Sequence, residues 1–441
     1  MKLYIFLTSL LFAQLAFGQD NTTATKIWSF EDCLNYVIEN NITIKDASLN
    51  KSIAAVSYNK AKSSRLPNLI GSASQNFSSG NTIDPITSDY VTKQVNSTNL
   101  GVTSAITLFQ GNQINNQIKQ SKTLLEQSAL LEEETKNSII ISLLESYLQA
   151  LFSKEDIVIS ENNLIASEKQ VERAKARLEA GAITLSDFSE AQSQAATNKY
   201  TVIAAKNKYQ QYIITLKQLL ELPPTTELEI QTIDENKELL NLELNKTEIY
   251  SKALKHLPEV EASKLNITAS TQQLDIAKGG FLPTLSLSGS VGSGYTSVNS
   301  TSFIDQLDLN FNQKIGLSLS IPIFNRNQTK SAVKTASYNI EKAEIQQQSI
   351  IKEVYKKVET AYQNVVSSQE QLVASESSKE AARQAYKLAQ KKYELGGLSI
   401  TDLVISQNTY TNAQQNYIQA KYLTILYHQL LQFYQGNNIK L

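Results

Sequence analysis

Few side chains in this sequence are arranged for chemistry. Its two histidines, His256 and His428, stand far apart and lack ligand spacing. The lone cysteine, Cys33, offers neither a disulfide framework nor a zinc cluster. Glu132, Glu133 and Glu134 form an acidic run that reads as a solvated helix face rather than a catalytic carboxylate pair. No nucleophile–base–acid set, phosphate-binding glycine loop or metal-ligand spacing occurs, so neither an enzyme, a cofactor nor a bound metal is expected. The 41 Lys and Arg nearly balance the 42 Asp and Glu, giving a formal charge of −1. That balance argues against a nucleic-acid binder, which carries a basic face.

Asp187 and Asp402 have a regular setting. Each follows a Ser or Thr by three residues, Thr184 and Ser399, and each pair stands just after glycine, Gly181 in AGAITLSD and Gly396-Gly397 in GGLSITD. Glycine ends a helix by taking the left-handed conformation, and Ser or Thr with an acidic residue three positions on caps the next one. The two stretches therefore read as tight turns between helices.

The helices on either side are long. Neither Gly nor Pro occurs between Asn112 and Ala180 or between Ala182 and Leu222, no Gly from Leu317 to Leu395, and no Pro from Ile323 onward. Ile114, Ile118, Ser121, Leu125 and Ser128 step by four and three, as do Val354, Val358, Ala361, Val365, Gln369 and Leu372. This is the heptad seam of packed helices. Small and polar seam residues predict close packing.

Glycine clusters in segments of about ten residues that alternate with period two, as membrane-crossing strands do. LSLSGSVGSGY sets Leu285, Leu287, Val291 and Tyr295 against serine and glycine. KIGLSLSIPIF does so through Ile315, Leu317, Leu319, Ile321 and Ile323, and NLGVTSAITLF through Leu100, Val102, Ile106 and Leu108. NLIGSASQNF, Asn68 to Phe77, is a weaker case. Residues 1–18, MKLYIFLTSLLFAQLAFG, read as a secretory signal peptide. No later run of apolar residues is long enough for a transmembrane helix.

The chain repeats itself. Residues 61–67 return at 277–283, Leu100-Gly101-Val102 as Ile315-Gly316-Leu317, Phe109 as Phe324, Tyr147 as Tyr362, Asp187 as Asp402 and Gln192 as Gln407, at an offset of 215 to 216 residues. The first repeat is expected over residues 19–224, with strands about 67–78 and 98–109 and a helical hairpin turning at 180–187. The second is expected over 225–441, with strands about 283–295 and 313–324 and a turn at 395–402. Leu222-Pro223-Pro224 marks the join.

A continuous helix from Asn112 to Ala180 would span on the order of 100 Å. The expectation is a mixed α and β membrane protein: a long coiled-coil rod joined to four strands. Four strands cannot close a barrel, and an open edge in lipid leaves backbone groups unpaired at several kcal/mol each. Copies must therefore associate, two giving eight strands and three giving twelve with a lumen. The turns at the far end of the rod are the natural contacts for a partner. A secreted or surface coiled-coil protein of structural or adhesive role, without a pore, is the alternative.

The signal peptide, the doubled helix–strand–strand–helix–turn–helix plan and the motifs AGAITLSD and GGLSITD resemble the TolC family of outer-membrane efflux proteins, over about residues 27 to 435. The resemblance implies a homotrimer with a twelve-stranded barrel in the lipid of the Gram-negative outer membrane and an α-helical tunnel in the periplasm. It would be the exit duct for a tripartite efflux or secretion system, joined through a periplasmic adaptor to an inner-membrane transporter. It places adaptor docking on the turns at Gly181, Ala182 and Ile183 and at Gly396, Gly397 and Leu398. It places the periplasmic gate at Asp187, Asp402 and Tyr393. Two family residues are missing here: Leu398 stands in place of an arginine, and Ile405 in place of a further aspartate.

Overall fold

Ser29 begins the first regular helix of this protein by accepting the backbone N–H of Asp32, while Asp32 reaches back to the N–H of Ser29 at 3.1 Å. The computed structural model describes residues 27–83, 86–92, 94–233 and 245–441. The leader expected over residues 1–18 lies outside the described residues.

The first repeat contains β1 (Ile27–Trp28), α1 (Phe30–Asn40), α2 (Ile42–Ser63), β2 (Asn68–Ser78), a short hairpin of β3 (Asn81–Ile83) and β4 (Tyr90–Thr92), β5 (Val95–Gln110), α3 (Gln113–Glu179) and α4 (Leu185–Leu219). The second contains β6 (Glu229–Ile230), α5 (Lys246–His256), α6 (Pro258–Gly279), β7 (Thr284–Thr296), α7 (Phe303–Leu309), β8 (Asn312–Ser320), α8 (Gln328–Glu394) and α9 (Ile400–Tyr434). The duplication is carried into the helix lengths. Both α3 and α8 have 67 residues, and both α4 and α9 have 35. At 1.5 Å per residue each long helix is about 100 Å.

The four long strands form one antiparallel sheet in the order β2-β5-β7-β8. Register follows the alternation in the sequence. Leu69, Val102, Val291, Leu287, Ile315, Leu317 and Leu319 share one face. Ser72, Gly101, Gly292, Ser288, Gly316 and Ser318 share the other. A bulge between Thr107 and Phe109 turns Phe109 to the apolar side, opposite Leu285. β2 and β8 are the edges of this sheet.

Two details differ from the sequence expectation. The second strand of repeat two stops at Ser320, short of Phe324, because Pro322 offers no ladder N–H. The segment between β7 and β8 is not a bare connection of strand to strand, as the helix–strand–strand–helix plan has it: it contains α7, held by the fully buried Gln306. The Gln306 side-chain carbonyl accepts the Thr296 N–H at 2.9 Å, and its amide lies 3.1 Å and 2.8 Å from the carbonyls of Thr296 and Thr301.

The core follows the rod. Cys33, Leu143, Tyr147, Leu151, Leu216 and Ile230 pack where β1 and β6 pair in parallel, and Ile249, Val260, Val354, Val358 and Leu431 make the matching cluster in repeat two. Heptad residues Val354, Val358, Ala361 and Val365 are all buried. The acidic run is not a uniformly solvated face. Glu133 is exposed, but Glu132 is buried between Lys51 and Lys136, at 2.9 and 3.4 Å. Burial and the nearby Glu259 raise the pKa of the half-buried Glu134. The run meets α2 and α6, which local sequence could not show.

Candidate functional site

The two helical hairpins turn by the same local rule. In the first, Gly181 adopts φ +69°, and the N–H of Ala182 donates to the carbonyl of Arg177 at 2.8 Å. In the second, Gly396 adopts φ +78°, and the N–H of Gly397 donates to the carbonyl of Lys392 at 2.8 Å. Only the first glycine of the Gly396-Gly397 pair is left-handed. These bonds satisfy carbonyls that a helix end otherwise strands.

Thr184 and Ser399 then start the next helices. Asp187 accepts both the N–H of Thr184, at 3.0 Å, and its hydroxyl, at 2.8 Å. The backbone bond from Thr184 holds the Asp187 carboxyl below the usual carboxylate range. Asp402 accepts the hydroxyl of Ser399 at 2.7 Å and returns its own N–H to that oxygen at 3.1 Å. Both aspartates are thus tied into their own turns.

The surface of the tips is mixed. Gly181, Ala182, Gly396 and Gly397 are exposed, together with Leu185 and Leu395. Ile183 and Leu398 are half-buried and face inward onto a small cluster of Ala174, Ala191, Tyr386, Tyr393, Ile400 and Leu403. The residues expected to dock a partner therefore divide into an exposed rim and two apolar pegs that hold the turns to the rod. Tyr393 is 5% exposed, and its hydroxyl has no hydrogen-bond partner among the described residues. Beside it, Gln170 lies 3.5 Å from the Tyr386 hydroxyl and 3.4 Å from the side-chain carbonyl of Gln407.

Sequence reasoning missed the residues that join the two tips. Arg177 donates to the carbonyl of Tyr393 at 3.1 Å, with its guanidinium 5.2 Å from the centre of that ring. Arg173 pairs with Glu394 at 2.6 Å. The available signal was composition: two of the chain's five arginines lie in the last two turns of α3. The second tip, where Leu398 stands in place of an arginine, thus receives guanidinium groups from the other repeat.

Among the described residues no cluster of His, Cys, Asp or Glu could hold a metal, and no helix is long and apolar enough to cross a membrane. The sheet is the element with an apolar face and a polar face. A barrel closed from such sheets would turn the first to lipid and line a passage with serine and glycine.

The outer membrane efflux protein family model matches residues 33–221 and 249–436, one stretch in each repeat. The chain is 23% identical over 395 residues to the outer membrane protein TolC of Escherichia coli (strain K12), covering 87% of this chain and 77% of that one. It is 24% identical over 322 residues to the outer membrane efflux protein BepC of Brucella suis, covering 72% of this chain and 66% of BepC. Its fold is similar to that of the outer membrane protein VceC from Vibrio cholerae, with a TM-score of 0.79, 16% identity and coverage of 93% and 97% of the two chains.

Proposed function

The chain belongs to the outer membrane efflux protein family and is an exit duct in the outer membrane of a Gram-negative bacterium, and we propose that it works as a homotrimer whose helix tips are both docking surface and gate. Substrates would pass through it passively, the energy coming from an inner-membrane transporter that reaches the duct through a periplasmic adaptor.

One observation carries this reading: the sheet has an apolar face and two unpaired edges, β2 and β8. In lipid those edges must be paired, and the internal repeat supplies the pairing rule. β5 of repeat one joins β7 of repeat two within the chain, so β8 of one chain would join β2 of the next in the same way. Three chains give twelve strands and room for a passage. Family membership sets aside the pore-free coiled-coil alternative.

At the tips, the exposed rim of Gly181, Ala182, Gly396 and Gly397 would receive the adaptor, with Ile183 and Leu398 holding the turns in shape beneath it. Asp187 and Asp402 would narrow the entrance, and Tyr393 would brace it. The experiment is an image of the detergent-extracted particle: a threefold hollow cylinder about 140 Å long, the sum of helix and barrel lengths, supports the proposal. A stable water-soluble monomer overturns it. Replacing either turn by a longer polar loop should abolish adaptor co-purification, and retained co-purification would refute the docking role.

A further inference from the structure

The charges of this near-neutral chain are unevenly placed. Four helix ends meet the foot of the sheet: the last turns of α2 and α6 and the first turns of α3 and α8. In repeat one, residues 56–67 and 111–123 carry Lys60, Lys62, Arg65, Lys119 and Lys122 and no acid. In repeat two, residues 270–283 and 322–336 carry Lys278, Arg326, Lys330 and Lys334 against Asp275. Nine cations and one acid leave +8 on these stretches, in a chain whose formal total is −1. Lys62 returns as Lys278 at an offset of 216 residues, and Lys119 as Lys334 at 215, so both repeats build this basic collar.

All nine cations are exposed. Among the described residues, only Lys122 and Lys278 of the nine have a carboxylate within ion-pair reach, Glu126 at 3.6 Å and Asp275 at 3.8 Å. Measured along the helices, each cation lies within about 15 Å of the sheet. Beyond that level the four long strands hold one charge, Lys314, which shares the small, polar face with Ser290. Exposed Phe281, Ile323 and Phe324 stand between the collar and the strands. Aromatic and apolar residues at that level mark the edge of the lipid, like the girdles of membrane barrels. The loops at the other end of the sheet reverse the sign: residues 79–94 and 297–311 carry Asp84, Asp89, Asp305 and Asp308 against Lys93.

We propose that the collar binds the anionic headgroups of phospholipids in the periplasmic leaflet, and so fixes the depth at which the duct sits in the membrane. The proposal rests on the outer-membrane duct reading and adds the lipid class held at the foot of the sheet. Unpaired Lys and Arg beside a membrane attract anionic lipid over roughly one Debye length, about 8 Å at physiological salt. The same charge turned inward would act on anionic solutes in the passage. The exposed aromatic edge beside the cations, next to the apolar face of the sheet, favours headgroups. Lys62 and Lys334 also lie 4.7 and 5.7 Å from the ring centres of Tyr58 and Tyr338. Such an apolar stem laid on a ring, with its charged end free, suits a membrane surface.

The test places the full-length protein in phosphatidylcholine vesicles that contain spin-labelled phosphatidylglycerol or, in a parallel sample, spin-labelled phosphatidylcholine. The motionally restricted fraction of each label reports the lipid held against the protein. The wild type should prefer phosphatidylglycerol about threefold at 0.1 M salt and lose that preference at 1 M salt, where the screening length is only about 3 Å. A variant with Lys60→Gln, Lys62→Gln, Lys119→Gln and Lys330→Gln should show no preference, and arginine at the same four positions should keep it. None of these four lysines has a carboxylate partner among the described residues, so their loss leaves no buried charge behind. Equal restriction of both lipids by the wild type at low salt overturns the proposal, whether or not the glutamine variant assembles. So does a glutamine variant whose lipid preference is intact but whose reversal potential in a salt gradient has moved, because the collar would then face the passage. A wild type that restricts neither lipid refutes the duct reading itself, a result distinct from restricting both alike.

Discussion

Gly111 and Gly279 meet backbone to backbone at the foot of the sheet. A Cβ on Gly111 would lie 2.2 Å from the carbonyl oxygen of Gly279, and one on Gly279 would lie 2.5 Å from that of Gly111. The contact joins the end of β5 in repeat one to the end of α6 in repeat two. The end of β5 and the end of α6 can approach this closely because neither residue has a side chain.

Gly111→Ala should therefore be far more damaging than its size suggests. The residue has φ +53° and a backbone oxygen where the methyl would go. Gly181→Ala also places alanine at positive φ, +69°, but has open space around it. That second change should cost only about 1 kcal/mol. Folded protein recovered from outer membranes should drop sharply for Gly111→Ala and stay near normal for Gly181→Ala.

Thr184→Ala should fray the start of α4, costing about 1 kcal/mol for the lost cap. Faster hydrogen exchange at residues 185–188, with little change in α3, is the expected signature. The cap also has a pH dependence. The carboxyl of Asp187 titrates below its ordinary 3.8, chiefly through the backbone bond from Thr184. Its contribution is fully present above pH 3.8 and is lost as pH falls through the lower folded value. Exchange at the tip should rise only in strong acid, and Asp187→Asn should remove the pH dependence.

Leu317→Arg and Ser318→Arg should differ although the residues are adjacent. Leu317 lies on the apolar face opposite Leu287, and Ser318 on the small, polar face opposite Ser286. An arginine facing lipid near the middle of the sheet costs about 2–4 kcal/mol, whereas one facing the passage mainly alters ion selectivity. The checks are the amount of protein assembled in the outer membrane and the reversal potential in a salt gradient.

Glu132→Gln should weaken the packing of α2 on α3. The hydrogen bond from Lys51 leads the causes that hold this carboxyl below its ordinary 4.5. Its stabilisation is present above pH 4.5 and disappears as pH falls through the folded value. Because Lys51 remains half in water, the expected loss at neutral pH is about 1 kcal/mol or less. Thermal unfolding of wild type should show a lower midpoint at pH 4 than at pH 7, and Glu132→Gln should narrow that gap.

The sequence by itself determined the features that depend on neighbours within a turn or a strand. Absence of Gly and Pro set the long helices, alternation set the two faces of the sheet, and Gly181, Gly396, Thr184 and Ser399 set the turns. The duplication and the need for unpaired strands to find partners followed from the same local patterns. Tertiary structure alone decided what lies between distant segments. Arg177 meets Tyr393 across 216 residues of chain, and Arg173 meets Glu394 across 221. Glu132 is buried by a helix that ends 69 residues before it, and Gln306 is clamped by a loop that shows no periodicity of its own. Backbone propensity and side-chain period act over a few residues, whereas these contacts arise only once the two repeats have docked and fixed which helix faces meet.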